Sequence, residues 1–536
     1  GGENTAVGSQ ALKNNTTASS NTAVGQAALL ENTTGANNVA VGALALDANT
    51  TASNNTALGY NSLSANTTGD KNTSVGANSL DANTTGRLNT AMGQDALSAN
   101  TTADNNTAYG QASLKANTTG TQNTGVGSSA LFVNTTADNN TAVGFVALLS
   151  NTTGASNTAV GSSSLQLNTT GTENVAVGSS ALDANTTGDF NTAVGHIALS
   201  ANTTGERNTA IGRAALNSAT GVQNTAVGFN SLVNATNGNY NTAVGSRALQ
   251  ANSTADYNTA VGTDALLENT TGTNNVAIGA LALDANTTAN GNIAIGYASL
   301  GVNTTGADNI VVGTNALDAN TTGGANTAIG RSALGESTTS SNNTAVGYFA
   351  LLNNTTGASN VAIGAFALDA NTTANNNVAV GNSALGACTT GDQNTAIGRD
   401  TLVASTVGSQ NTAVGKDALG QTTGSTNTAI GRNAGNSIGT GDNNTCIGFN
   451  ALPSSGTVSN AITLGNGSIG TLRCQVQTIS SLSDARDKTN IVDIEDGLDL
   501  INLLKPRKFT WAMREPSAND GTTHLGFIAQ EIDEAI

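Results

Sequence analysis

Large side chains are scarce in this chain of 536 residues: aromatics make up 3%, with 1 Trp, 3 Pro and 2 Met. That shortage excludes a bulky conventional core, although such a length would ordinarily divide into about three or four domains. The three cysteines, Cys388, Cys446 and Cys474, are scattered, so neither a disulfide framework nor a thiolate metal cluster is implied. Cys388 and Cys446 stand where small residues stand elsewhere in the chain, and packing is their expected role. Positive charge is also short. Against 35 Asp and Glu there are 18 Lys and Arg, a net charge of −17, whereas a nucleic-acid backbone calls for a basic face. No apolar run approaches the roughly 20 residues of a membrane-spanning helix. Of the 2 histidines, His196 replaces a variable turn residue and is expected to be exposed. The chain opens Gly-Gly without Met, so it reads as a fragment, and a missing leader says little about location.

What is abundant is one phrase. Asn4 to Ser20 reads NTAVGSQALKNNTTASS; the next unit starts at Asn21, the next at Asn38, and the phrase recurs to Asn444, with a degenerate copy from Asn460. There are 28 such starts, mostly 17 residues apart, with a few steps of 16 such as Asn208 to Asn224. A short fixed period means that each unit is one structural turn stacked on its neighbours. Gly and Asn run through every unit and no helical apolar spacing persists, so helix is excluded. The expected fold is all-β: a long parallel β-solenoid, or β-roll, of about 28 repeats over residues 1–465. Each coil is expected to hold two short strands, Thr-Ala-Val and Ala-Leu, with Val and Leu inward. One strand spacing of about 4.8 Å per coil then gives a rod on the order of 130 Å. Low aromatic content can also mark disorder, but disorder needs no register, and the Val and Leu places here are strict.

The Asn opening each unit, as at Asn4, Asn21 and Asn38, is expected to form a ladder of amide hydrogen bonds between coils. Asn-Thr-Thr also fits the N-glycosylation acceptor, although a turn built on Asn and small β-branched residues yields that match without any sugar. Toxin-type calcium repeats are absent, and no cofactor or metal is implied.

Composition changes near residue 475. Residues 1–483 hold 24 acidic and 12 basic residues, and the short segment 484–536 holds 11 and 6. Trp511, Pro506 and Pro516 lie in that segment. Asp496 can cap a helix over Gly497–Leu504, which Pro506 ends. Strands are expected over Lys508–Trp511 and His524–Ala529, and residues 531–536 look like a helix cut short. Residues 466–482 form a junction, and 483–536 begin a small, incomplete α+β domain.

The junction carries Ser-Leu-Ser-Asp-Ala-Arg-Asp-Lys-Thr-Asn-Ile, residues 481–491. A serine becomes a nucleophile when a base takes its proton, and a lysine of lowered pKa can be that base. A turn could bring Lys488 to Ser483, yet Ser-Asp before a helix is usually only a cap, and a nearby Lys is usually solvated. The wider set SDARDKTNI, GLDLINLLKPRKFTW and HLGFIAQEI closely resembles the intramolecular chaperone domain of serine peptidase family seventy-four, which ends phage tail fibres, tail spikes and endosialidases. That resemblance implies a domain that trimerises, folds the β-rich stalk before it, and cuts itself off through a Ser–Lys dyad. Ser483 would be the nucleophile, Lys488 the base, and Leu482–Ser483 the bond cut. His524, Gln530 and Glu531 would have supporting or structural roles. The family's later helices are missing from this sequence.

The coils also resemble the head repeats of trimeric autotransporter adhesins, which have a shorter period; a left-handed β-roll in a three-chain assembly would follow. The expected function is a structural, adhesive fibre in a virion. It would be a homotrimeric phage tail fibre or spike for host attachment, meeting a cell-surface receptor, most naturally a glycan. The alternative is a bacterial cell-surface adhesin outside the virion. An ice-binding solenoid is disfavoured because the adjacent Thr16 and Thr17 should face opposite ways.

Overall fold

A computed structural model describes residues 2–473, 503–504, 506–510 and 523–526. The chain divides into two units, Gly1–Ser468 and Ile469–Ile536.

The first unit is one parallel sheet of 28 strands wound as a solenoid, from β1 (Thr5–Val7) and β2 (Thr22–Val24) to β28 (Ile462–Leu464). Each strand pairs with the next in sequence, like on like: Thr5 with Thr22, Ala6 with Ala23, Val7 with Val24. The parallel solenoid of the sequence reading is therefore present. Each coil, however, holds one strand and not two.

Two details of the coil overturn the expectation. Side chains alternate across a strand, so three residues put the outer two on one side and the middle one on the other. Ala is the middle residue, and Ala23, Ala40 and Ala57 are fully buried. Val is thereby turned outward: Val7, Leu58 and Tyr109 are exposed. The inward place holds Ala in most coils and packs into one core with the buried Leu, although it also takes Val311, likewise fully buried. Leu faces inward as expected, and Leu29, Leu46 and Leu63 are fully buried.

The second apolar phrase is a turn. Ala27 and Leu29 both have positive φ, 56° and 51°. The left-handed conformation costs a non-glycine residue about 1–2 kcal/mol, while a fully buried Leu contributes about 1.5–3 kcal/mol. Hydrogen bonds between coils hold it as well: the Ala27 N–H donates to the Ser9 carbonyl (2.8 Å) and the Leu29 N–H to the Ala45 carbonyl (3.0 Å). Burial and ladder together outweigh the strain. At Gly25, with φ of 137°, a Cβ would lie 2.4 Å from the Gly42 oxygen, so both the torsion and the close approach require glycine.

Thr33 and Thr34 lie at a turn, where Thr33 is half-buried and Thr34 exposed. Neither lies in a strand, so the alternation from which opposite orientations were expected does not apply to them.

Of the second unit, strands β29 (Arg507–Thr510) and β30 (Thr523–Gly526) are described. They pair antiparallel, with Phe509 opposite His524 and Lys508 opposite Leu525. Each overlaps a stretch expected to be a strand and begins one residue earlier than expected. The expected helix over 497–504, save Leu503 and Leu504, and the one over 531–536 lie outside the described residues.

Candidate functional site

The expected ladder is present. The Asn38 N–H donates to the Asn21 Oδ1 (2.9 Å), and the Asn38 Nδ2 donates to the Ala52 carbonyl (2.9 Å). The amide thus ties its own coil to the coil before it, and closes its own turn. Asn21, Asn38 and Asn72 are fully buried, where an unpaired amide would cost about 1–3 kcal/mol.

Sequence reasoning missed a second ladder, formed by the Asn of Asn-Thr-Thr. The Asn49 Nδ2 donates to the Asn32 Oδ1 (2.8 Å) and to the Ala52 carbonyl (3.0 Å), and the pattern repeats at Asn66, Asn83 and Asn100. These amides are fully buried. The nitrogen that would carry a glycan is therefore spent inside the stack, and a sugar there is incompatible with it. The recurrence of that Asn in most coils, from Asn15 to Asn202 without a break, was the available signal; reading the phrase as a glycosylation match obscured it.

Two of the ranks in which aspartates occur bear on the electrostatics of the coil. In one, the carboxylate caps the backbone of the coil before it: the Arg87 N–H donates to the Asp104 Oδ1 and the Ser53 N–H to the Asp70 Oδ1, both at 2.6 Å. Asp70, Arg87 and Asp104, with Thr68, Thr85 and Thr102, line a shallow groove. The other rank is Asp47, Asp81, Asp183, Asp284, Asp318 and Asp369, half-buried beside the Leu turn. Desolvation holds all six carboxyls above the ordinary aspartate value. The Oδ1 atoms of Asp81 and Asp183 have no hydrogen-bond partner.

Cys388 stands in the second Asn ladder, where its Sγ donates to the Gly391 carbonyl (3.3 Å). Burial pushes its thiol up to about 11. Cys446 fills an Ala place in the strand rank and is buried, its thiol also raised by burial. His196 is exposed, as expected. Among the described residues, no three His, Cys, Asp or Glu side chains come together as metal ligands do, and no helix is long and apolar enough to cross a membrane.

The junction residues Leu482, Ser483 and Lys488, with Gln530 and Glu531, and also Cys474, lie outside the described residues. His524 lies in β30, opposite Phe509.

Residues 483–536 match the family of the chaperone of endosialidase, so that domain follows the β-solenoid in this chain. The chain is also similar to the protein called "Uncharacterized protein VP1" of Micromonas pusilla reovirus (isolate Netherlands/2005). The two are 50% identical over 60 residues, 11% of this chain, and the match spans 3% of the viral protein's length. No solved structure matches.

Proposed function

We propose that the chain is the shaft of a homotrimeric virion fibre, a phage tail fibre or spike, folded and trimerised by its C-terminal chaperone domain. The observation carrying this reading is the order of parts: a solenoid of 28 in-register strands, then a chaperone-of-endosialidase match over 483–536. Similarity to a viral protein supports the virion. The first pair of coils must close a loop of about 17 residues before its contacts form, and three chains must start in the same register; a domain that aligns three chain ends removes part of that entropy. The distal coils would then meet a receptor on the host surface.

The chaperone domain would release itself. In that step the Ser483 hydroxyl loses its proton to neutral Lys488 and its oxygen attacks the Leu482 carbonyl. The amide nitrogen leaves with a proton, an ester forms, and water hydrolyses it. Loss of the chaperone then makes the fibre hard to refold and kinetically trapped as folded. The test is mass spectrometry of the full-length gene product. Cleavage between Leu482 and Ser483, abolished by Ser483→Ala and by Lys488→Ala in chains that remain folded, is the expected result. Unchanged cutting in the serine variant overturns the assignment.

A further inference from the structure

The outer two residues of every strand form two ranks on the outward face of the sheet. The last strand residue is apolar in all 28 coils: Val7, Val24, Val41, Leu58, Val75 and Met92 at one end, Ile430, Ile447 and Leu464 at the other. The first is Thr or a β-branched apolar residue, as at Thr22, Val39, Val175, Ile293 and Ile310, and neither rank carries a charge. A chain of net charge −17 has placed every charge elsewhere. Many of these side chains stand free, Tyr109 at 55% exposed and Ile447 at 42%. Taking 28 coils at about 4.8 Å and a face about 10 Å wide gives an uncharged strip of about 1,300 Å², about half of it the apolar rank; the strip exceeds the roughly 800 Å² per partner of a stable interface, and its apolar half the few hundred Å² a monomer ordinarily shows.

We propose that this sheet face is where copies of this chain pack on one another, strand face to strand face and parallel. The assignment rests on the homotrimer reading above and gives it a surface. The occupant must match a repeat of one strand spacing sustained over the whole rod, and a second copy of the same solenoid has that repeat by construction. The steps of 16 residues respect it. From Asn208 to Asn224 the strand pairing continues unshifted, Thr209 with Thr225 and Ile211 with Val227, so the shortening falls in the turns and leaves the face in register. An ordered water lattice would want an unbroken hydroxyl rank, and Val39, Val175, Ile293 and Ile310 break it.

Single cysteines test this in the full-length protein with Cys474→Ser, where Cys388 and Cys446 are buried. Val194→Cys lies on the face, and Thr187→Cys on an exposed turn away from it. With a short bis-maleimide, the expected result is a cross-linked pair of chains from Val194→Cys and none from Thr187→Cys. Adding Val177→Glu and Ile211→Glu to Val194→Cys should abolish that cross-link while the far-ultraviolet spectrum stays β. A trimer in which Thr187→Cys links and Val194→Cys does not overturns this face but leaves the trimer standing. A wild-type chain that sediments as a monomer removes both.

Discussion

The Oδ1 of Asn174 accepts both the backbone N–H and the side-chain Nδ2 of Asn191, at 2.9 and 3.1 Å, one coil further along the chain. The same Asn191 Nδ2 donates to the Gly205 carbonyl (2.8 Å), and its Oδ1 accepts from the Asn208 N–H (3.0 Å). One side chain thus serves three coils, all fully buried at these atoms.

Asn191→Ala should therefore strand the Asn208 N–H, at about 1–3 kcal/mol, whereas the Gly205 carbonyl keeps the Asn202 Nδ2 as donor (3.1 Å). Stacked repeats interact with nearest neighbours, so amide exchange should accelerate in the adjoining coils only. Acceleration along the whole solenoid would contradict this.

Glycine is required at one place in the coil and optional at another. At Gly195, with φ of 136°, an added Cβ would meet the Gly212 oxygen at 2.5 Å. At Gly188 the Cβ also meets a carbonyl, that of Gly205 at 2.4 Å, but other coils carry Ala there, as at Ala137 and Ala255. Gly195→Ala should lower the melting temperature clearly and Gly188→Ala only slightly. Equal losses would refute the distinction.

The six half-buried aspartates make stability depend on pH. Burial raises their folded-state pKa above the unfolded value of 3.8, so the fold prefers the protonated form. Their penalty is absent below the unfolded pKa and grows as pH rises through the folded one. Replacing all six by Asn, which Asn217 already shows is accommodated at that place, should raise the melting temperature at pH 7. The gap from wild type should close as pH falls toward 4. A gap independent of pH would show that the carboxyl charge is not its origin.

Cys388 should resist alkylation. Its thiol is fully buried and its pKa raised to about 11, so both access and thiolate are lacking at neutral pH. With Cys474→Ser, iodoacetamide should label neither Cys388 nor Cys446 until denaturant is added. Rapid labelling of the folded protein would mean that the coils around them open readily.

Much of the architecture was legible because stacking makes sequence periodicity and spatial periodicity the same thing. The return of Asn-Thr-Ala-Val-Gly from Asn4 to Asn444 determined the parallel solenoid, its register, its coil number and its first Asn ladder. The chaperone domain, too, was visible in its ordered phrases near Ser483, Phe509 and His524. The tertiary structure decided which side of each strand is inside. Alternation is symmetric, so Thr22-Ala23-Val24 could bury either its middle or its outer residues. The fold buries Ala23 against the Leu side chains of the turn and turns Val24 out. It also decided that Ala27 and Leu29 form a left-handed turn, against their intrinsic preference. Bonds to Ser9 and Ala45 in neighbouring coils hold them there, and no local propensity contains those partners.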